Sequence, residues 1–347
     1  MIVRVYSPTS SSPAFEPAGQ LVSVKSFAIP GRKEYRLAWG MSAEIREDVR
    51  DFAPSIVHLS APDRLGWQAQ LFAIDQLKVP VVASLHTLFE RYFAFYGLSF
   101  LQASAERYLA RFYGKCDRIF VPTLPLMEEY GARYGTQSVR LWQRGVDRLQ
   151  FHPDRRDMSW RRDLGIADHD VVPLLFGRIV LEKGVTGFAD AIAALRARGR
   201  KVHPLVVGDG PALGKLRDAM PDAVFTGHLT GENLARAVAS ADFMINPSTT
   251  EAFGNVVLEA MASGLAVISS DTPSARNILT HGANGLLYPP AEPDALIDAA
   301  ERLIADAGLR QHMAANAAAT AARYDWSAEL SQVCNGYREL LRVKELA

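Results

Sequence analysis

Two glutamates in one short stretch carry the strongest chemical signal in this chain. Glu251 and Glu259 stand eight positions apart in EAFGNVVLEAMASG, with Gly254 between them. An apolar run, Asp242–Asn246, precedes the stretch, and another, Leu265–Ser269, follows it. The alanine- and leucine-bearing segment between them predicts a helix. Strand, helix and strand in that order need parallel strands joined by a right-handed crossover. Gly254 lets a ligand approach the backbone closely. The amides of Asn255, Val256 and Val257, at the predicted helix start, would face an anion. Ionised carboxylates only accept hydrogen bonds, which suits the hydroxyls of a sugar or a ribose. Taken singly, the two glutamates also fit a plain loop carboxylate and a solvated helix position.

Three further sites fall at the ends of predicted strands. After Val171–Phe176 come Gly177-Arg178 and then Lys183-Gly184. An arginine fork chelates phosphate oxygens and a lysine adds a point charge, so Arg178 and Lys183 can clamp a diphosphate. Two such cations are equally at home as surface charges. After Val202–Val207 comes the glycine turn Gly208-Asp209-Gly210-Pro211; tight turns need glycine whether or not a ligand is near. In the first half, Val79–Ser84 leads to His86-Thr87, at the strand edge where open α/β sheets bind ligands. His86 can hydrogen-bond a sugar hydroxyl or a phosphate oxygen, and a histidine there is also a common structural hydrogen-bonder.

The elements that must position these residues alternate. Predicted strands in the first half are Ile2–Tyr6, Leu21–Lys25, Ser55–Ser60, Val79–Ser84, Arg118–Val121 and Val139–Trp142. Predicted helices are Ser42–Phe52, Leu65–Lys78, Ser99–Tyr113 and Thr123–Arg133. Such alternation predicts a doubly wound α/β sheet. At 347 residues the chain has room for two domains of about 150 residues each. A formal net charge of zero gives no global pull toward nucleic acid. Cys116 and Cys334 fit no metal-ligand spacing and agree with a reducing, cytoplasmic setting. The first residues, MIVRVYSPTSSS, lack the basic and apolar regions of a signal peptide.

EAFGNVVLEAMASG resembles the paired-glutamate motif of the retaining glycosyltransferases of family 4, which have the GT-B fold. GRIVLEKG is similar to that family's diphosphate-binding segment, and Gly145, Val146, Asp147, Phe151 and Pro153 match its interdomain linker. Residues 82–96, with His86, resemble the histidine-threonine segment of mannosyl- and sulfoquinovosyltransferases acting on lipid or polyprenol-linked acceptors. The resemblance implies an α/β GT-B protein: two Rossmann-like doubly wound domains facing each other across a cleft. The expected bounds are 1–150 for the acceptor-side domain and 151–325 for the donor domain, with 326–347 a helix returning to the first domain. It further implies transfer of a hexose, mannose favoured, from GDP-mannose or a UDP-sugar to a lipid or glycan hydroxyl, with retention. His86, Glu251, Arg178 and Lys183 are the expected catalytic residues. Gly208, Leu229, Gly254, Asn255, Val256 and Glu259 join Arg178, Lys183 and Glu251 as expected donor-binding residues, with the base held by backbone around Leu229. No cofactor and no metal are expected.

Two further expectations concern the first domain. Phe89, Tyr92, Phe93, Phe95, Tyr96 and Phe100 either line an acceptor site or pack in a core. Arg107, Arg111, Lys115 and Arg118 recur at helical spacing as a basic stripe, which can hold a peripheral protein on anionic lipid at the inner face of a membrane or simply face solvent. The first strand runs into a proline- and serine-rich segment with no helix behind it, so the opening strand, glycine turn and helix of a complete domain are expected to be missing. That expectation leaves two rivals to transfer: a truncated chain that only binds nucleotide sugar, and a nucleotide-sugar epimerase of the same architecture.

Overall fold

The computed structural model describes residues 1–9, 19–29, 32–88, 95, 97 and 99–345. The carboxyl-terminal half is built on a six-stranded parallel sheet. Its strands, numbered on from those of the first half, are β9 (Pro173–Phe176), β10 (Leu205–Val207), β11 (Val224–Gly227), β12 (Phe243–Asn246), β13 (Ala266–Ser270) and β14 (Leu286–Tyr288). Their order across the sheet is β11-β10-β9-β12-β13-β14. Nearly every side chain of β9, β10, β12 and β13 is buried, as expected of strands covered by helices on both faces. Two cores lie on the two faces: one gathers Leu174, Phe176, Met244, Val257 and Met261, the other Leu175, Phe188, Ile192, Ile245 and Ile268. Arg161, buried to 1% exposure, pairs with Asp242 at 3.1 Å, and its other nitrogen donates to Asp170 O at 2.7 Å. This buried guanidinium, bonded through both terminal nitrogens, ties the start of this half to its sheet.

In the first half, β1 (Arg4–Pro8) pairs parallel with β2 (Gln20–Val24), and β3 (Ser26–Ile29) pairs antiparallel with β4 (Arg32–Ala38). A separate parallel sheet contains β5 (Val57–Leu59), β6 (Val81–Ser84), β7 (Arg118–Val121) and β8 (Val139–Leu141), in that order. The antiparallel hairpin was not expected; the Pro30-Gly31 dipeptide between its strands is an ordinary turn signal. The first strand begins at Arg4 rather than Ile2, and it packs on helix Ala43–Phe52: Arg4 and Tyr6 both donate to Asp48, at 2.8 and 2.6 Å. The helix expected over Leu65–Lys78 is α-helical only to Phe72, then widens to a π-helical turn over Ala73–Leu77.

The basic stripe does not form. Helix Gln102–Tyr113 ends at Gly114, which leaves Lys115 beyond it, and Arg118 begins the buried strand β7. Arg118 instead donates to Gly336 O at 2.5 Å and to Glu339 at 2.9 Å. Both partners lie on the last helix, Trp326–Glu345, whose Val333, Tyr337 and Leu340 pack on Val82 and Phe120 of the first sheet. Leu330 of the same helix is exposed. Among the described residues, no helix is long and apolar enough to cross a membrane.

The tail helix approaches the first sheet at a glycine. A β-carbon on Gly336 would lie 2.7 Å from Phe120 Cζ and 2.9 Å from Cε1, and a buried aromatic ring cannot swing aside. Gly336→Ala is therefore expected to cost roughly 1–3 kcal/mol, the usual penalty of overpacking. Urea denaturation of the two proteins side by side measures it; equal midpoints would mean that the helix does not seat as described.

Candidate active site

In a parallel sheet all strands point the same way, so every strand's carboxyl end opens on one edge. Between β9 and β12 the strand order reverses: the chain leaves β9 toward one side and β12 toward the other. Loops that diverge in this way leave a crevice between them. Arg178 and Lys183 follow β9; Glu251, Gly254, Asn255 and Val256 follow β12.

The two loops are stitched together. A short 3₁₀ turn, Leu181–Lys183, ends in Gly184 at φ +67°, a left-handed conformation that glycine adopts without cost. The buried hydroxyls of Ser248 and Thr250 donate to Glu182 O, at 3.5 and 3.0 Å. Lys183 Nζ then forms a close ion pair with Glu251 Oε1. Lys183 and Glu251, 68 residues apart in sequence, thus share one spot. On the other side of β9, Gly208 is held at φ +135° with its amide donating to Gly227 O at 2.8 Å; a β-carbon there would overlap the Gly177 carbonyl. Leu229 lies past the Gly227 turn, half-buried against the core under β9 and β12.

Helix Asn255–Ala262 starts from Gly254 at φ +105°. The amides of both Val257 and Leu258 donate to Gly254 O, at 3.0 and 3.2 Å. Val257 is therefore not an open donor, because the first helical turn closes on it. Asn255 and Val256 keep amides with no partner among the described residues, and Val256 lies against Gly177. One turn on, Glu259 is largely shielded from solvent, and burial pushes its pKa up to about 7. Glu251 and Glu259 thus occupy unlike surroundings: the first is paired to a cation, and the second has no ion-pair partner among the described residues.

The loop before Gly254 also reaches the first half. Ala252 is buried in the same core as Leu85 and Leu88, on either side of His86, and the Phe253 ring meets Tyr324 edge-on at 6.0 Å. His86 follows β6. Its Nε2 is 2.7 Å from Ser84 Oγ, and its Nδ1 receives Arg144 Nη2 at 2.8 Å. The residue is exposed, yet the protein crowded around its ring, and then the Arg144 charge, push its pKa down to about 4. Neither Arg144 nor Ser84 was singled out from sequence. They meet His86 only through the fold, and Arg144 sits in the segment LWQRGVD, which reads as a linker. Of the aromatic cluster, Phe89, Tyr92, Phe93 and Tyr96 lie outside the described residues. Phe95 and Phe100 are exposed, so these two are not core.

Matches to known proteins cover both halves. Residues 2–148 match the family described as Glycosyltransferase Family 4, and residues 171–306 match Glycosyl transferases group 1. A GDP-mannose-dependent alpha-mannosyltransferase of Corynebacterium glutamicum is 30% identical over 297 residues, covering 86% of this chain and 70% of that one. The chain belongs to the group 1 glycosyltransferases of family 4. A Mycobacterium tuberculosis protein also named GDP-mannose-dependent alpha-mannosyltransferase is 36% identical, over 72% of this chain and 65% of its own length. A sulfoquinovosyl transferase of Arabidopsis thaliana is 30% identical, over 91% of this chain and 62% of its own. The chain thus spans 62–70% of the length of these curated relatives. The fold is GT-B. Sucrose-phosphate synthase from Thermosynechococcus elongatus superposes with a TM-score of 0.74 at 21% identity, covering 98% of this chain and 88% of that one. Anabaena HepE, solved in complex with UDP-glucose, gives 0.72 at 19% identity over 86% and 81%.

The raised pKa of Glu259 has a consequence for stability. A carboxyl whose folded value lies above its ordinary 4.5 favours the folded state while protonated, and that contribution is lost as pH rises through about 7. Glu259→Gln cannot ionise. It should match wild type in thermal stability at pH 4 and exceed it at pH 8. Parallel melting curves with no pH-dependent divergence would show that Glu259 is not shielded as described.

Proposed function

We propose that the chain moves a hexose, with mannose favoured, from a nucleoside diphosphate donor to a hydroxyl of a lipid or glycan acceptor, retaining the configuration at the anomeric carbon. The observation that carries the reading is the convergence of Arg178, Lys183, Glu251 and the open amides of Asn255 and Val256 at the strand-order reversal. Family membership supports transfer of a sugar, and the relatives named for GDP-mannose favour that donor over a UDP-sugar.

Each residue then has a role. Bond breaking at the anomeric carbon leaves negative charge on the diphosphate. Arg178, Lys183 and the two amides meet that charge with donors already in place, which is usually the largest catalytic term. With those donors the reaction needs no bound metal. Glu251 accepts hydrogen bonds from the donor-sugar hydroxyls, and Lys183 beside it offsets its charge. Glu259 accepts from the ribose hydroxyls, the turns at Gly208 and Leu229 enclose the nucleotide through their backbone, and His86 faces the sugar from the first domain. The acceptor attacks on the face the diphosphate leaves, and a phosphate oxygen takes the acceptor proton. No enzyme carboxylate serves as nucleophile, in contrast to retaining glycosidases. Exposed Phe95 and Phe100, near Arg107 and Arg111 on the following helix, offer an apolar and basic surface on which a lipid acceptor at a membrane face can be met.

Labelled GDP-mannose and UDP-glucose, each incubated with and without polyprenol and diacylglycerol acceptors, test the reading. Transfer with an axial product linkage supports it; binding without transfer, or interconversion of donors, overturns it. Arg178→Ala and Lys183→Ala should each lose a charge-assisted contact of about 1.5–3 kcal/mol to the nucleoside diphosphate. Glu251→Gln should spare the nucleoside diphosphate and weaken the intact donor, whereas Glu259→Gln should weaken both. Calorimetry on GDP and GDP-mannose reads all four variants, and an unchanged GDP affinity in both cation variants would remove the clamp.

A further inference from the structure

Behind His86 runs a chain of hydrogen bonds that the proposed transfer does not itself call for. Ser84 Oγ, 2% exposed, stands between His86 Nε2 at 2.7 Å and His58 Nε2 at 3.0 Å. His58 Nδ1 closes on the Tyr337 hydroxyl of the tail helix. At the other end, Arg144 points a guanidinium nitrogen at His86 Nδ1. Most of these groups can either donate or accept, but arginine has donors only. His86 Nδ1 must therefore accept, which leaves its proton on Nε2 and gives it to Ser84. Ser84 passes its own proton to His58 Nε2, so His58 carries its proton on Nδ1 and donates to Tyr337.

We propose that Arg144 is a positioning residue for His86: its guanidinium holds the ring as the neutral Nε2–H tautomer and so gives direction to the whole chain from the cleft to the tail helix. Arg144 is itself held. It is 7% exposed, its other terminal nitrogen donates to Trp142 O and Gln143 O at 3.1 and 3.4 Å, and its plane lies 4.5 Å from the Trp142 ring centroid. Glu329, from the tail helix, accepts the Gln143 amide at 3.0 Å and faces Arg144 electrostatically. Among the described residues, the charged and titratable groups around the two histidines are thus Arg144 from the linker and Glu329 and Tyr337 from the tail helix, with Cys334 beside Tyr337. The burial of both rings works in the same direction: each is pushed down to about 4. Within the proposed sugar transfer, on which this consequence rests, His86 has one function open to it. It can turn its Nε2–H from Ser84 to a substrate oxygen, as a donor, and it cannot serve as a base.

The test uses the full chain labelled with ¹⁵N-histidine, with two-bond ¹H–¹⁵N spectra recorded across pH and the two rings assigned from His58→Gln and His86→Gln. In wild type, His86 should be Nε2–H and His58 Nδ1–H, both uncharged down to about pH 4. Arg144→Met should give His86 mixed tautomers and raise its titration by about one pH unit, the scale of a single neighbouring charge. Arg144→Lys, which keeps an obligatory donor, should restore the single tautomer. A wild-type His86 found as Nδ1–H overturns the assignment before any variant is made, as does an Arg144→Met protein whose His86 is unaltered. Spectra as described with no transfer to any acceptor support the Arg144 assignment and defeat the sugar-transfer reading alone.

Discussion

The parallel direction of β9, β10, β12 and β13 is the constraint on which the second half depends. Parallel neighbours need crossovers, crossovers are right-handed, and a chain that crosses first to one side and then to the other must open a gap between its first strands. The gap falls between β9 and β12. Everything chemical in this half is a consequence of what those two strands lead into. After β9 the chain has an arginine, a 3₁₀ turn and a lysine; after β12 it has a loop pinned to that turn by Ser248 and Thr250. The Lys183–Glu251 pair is the chemical result of this stitching. A partly buried pair of this kind holds its geometry because breaking it would leave one charge uncompensated in a poorly solvated place.

The two halves are joined by more than the linker. The chain passes from the first sheet to the second near Gly145 and returns near Trp326. These crossings touch: a β-carbon on Gly145 would lie 2.6 Å from Trp326 Cγ, and the Val146 amide donates to Tyr324 O at 3.1 Å. The returning helix then docks on the first sheet through an apolar face and through Arg118, whose guanidinium reaches across to Gly336 O and Glu339. Loop Glu251–Gly254 bridges the halves from the other side, with Ala252 in one core and Phe253 in the other. Displacing the tail helix would therefore disturb His58 and, through Ser84, His86.

Electrostatics divides the site into two kinds of group. Arg178, Lys183 and Glu251 are charges at a strand edge, and Lys183 pairs with Glu251. Glu259, His86 and His58 are groups pushed toward their neutral forms, the carboxyl upward and the imidazoles downward. Desolvation acts in opposite directions on an acid and a base because it opposes whichever form carries the charge. Fixed charges and neutral hydrogen-bonding groups thus stand side by side, and the proposed donor, with its diphosphate and its hydroxyls, would use both.

Much of this was legible in the chain itself. The apolar runs located β5–β10, β12, β13 and the helices of the first half to within a few residues, because burial of one face repeats with the element that makes it. Glu251, Gly254 and Glu259 lie in one local segment, so their relation follows from helix geometry alone. Relations across long sequence separations were not legible. Spacing could not show that Lys183 meets Glu251 or that Arg144 meets His86. Nor could it show that Arg118, at helical register with Arg107 and Arg111, leaves the helix and becomes a buried anchor for the tail. Helical period persists on paper past a glycine, whereas the backbone stopped at Gly114. The Val257 amide was lost for a local reason, the closing of the first turn on Gly254, and the Pro30-Gly31 hairpin was there to be read. Sequence determined which residues carry charge and which faces are apolar, since both are properties of side chains and their local order. Only the tertiary structure decided which charges pair, which are desolvated and which way the histidine protons point, since those depend on neighbours brought together by the packing of distant segments.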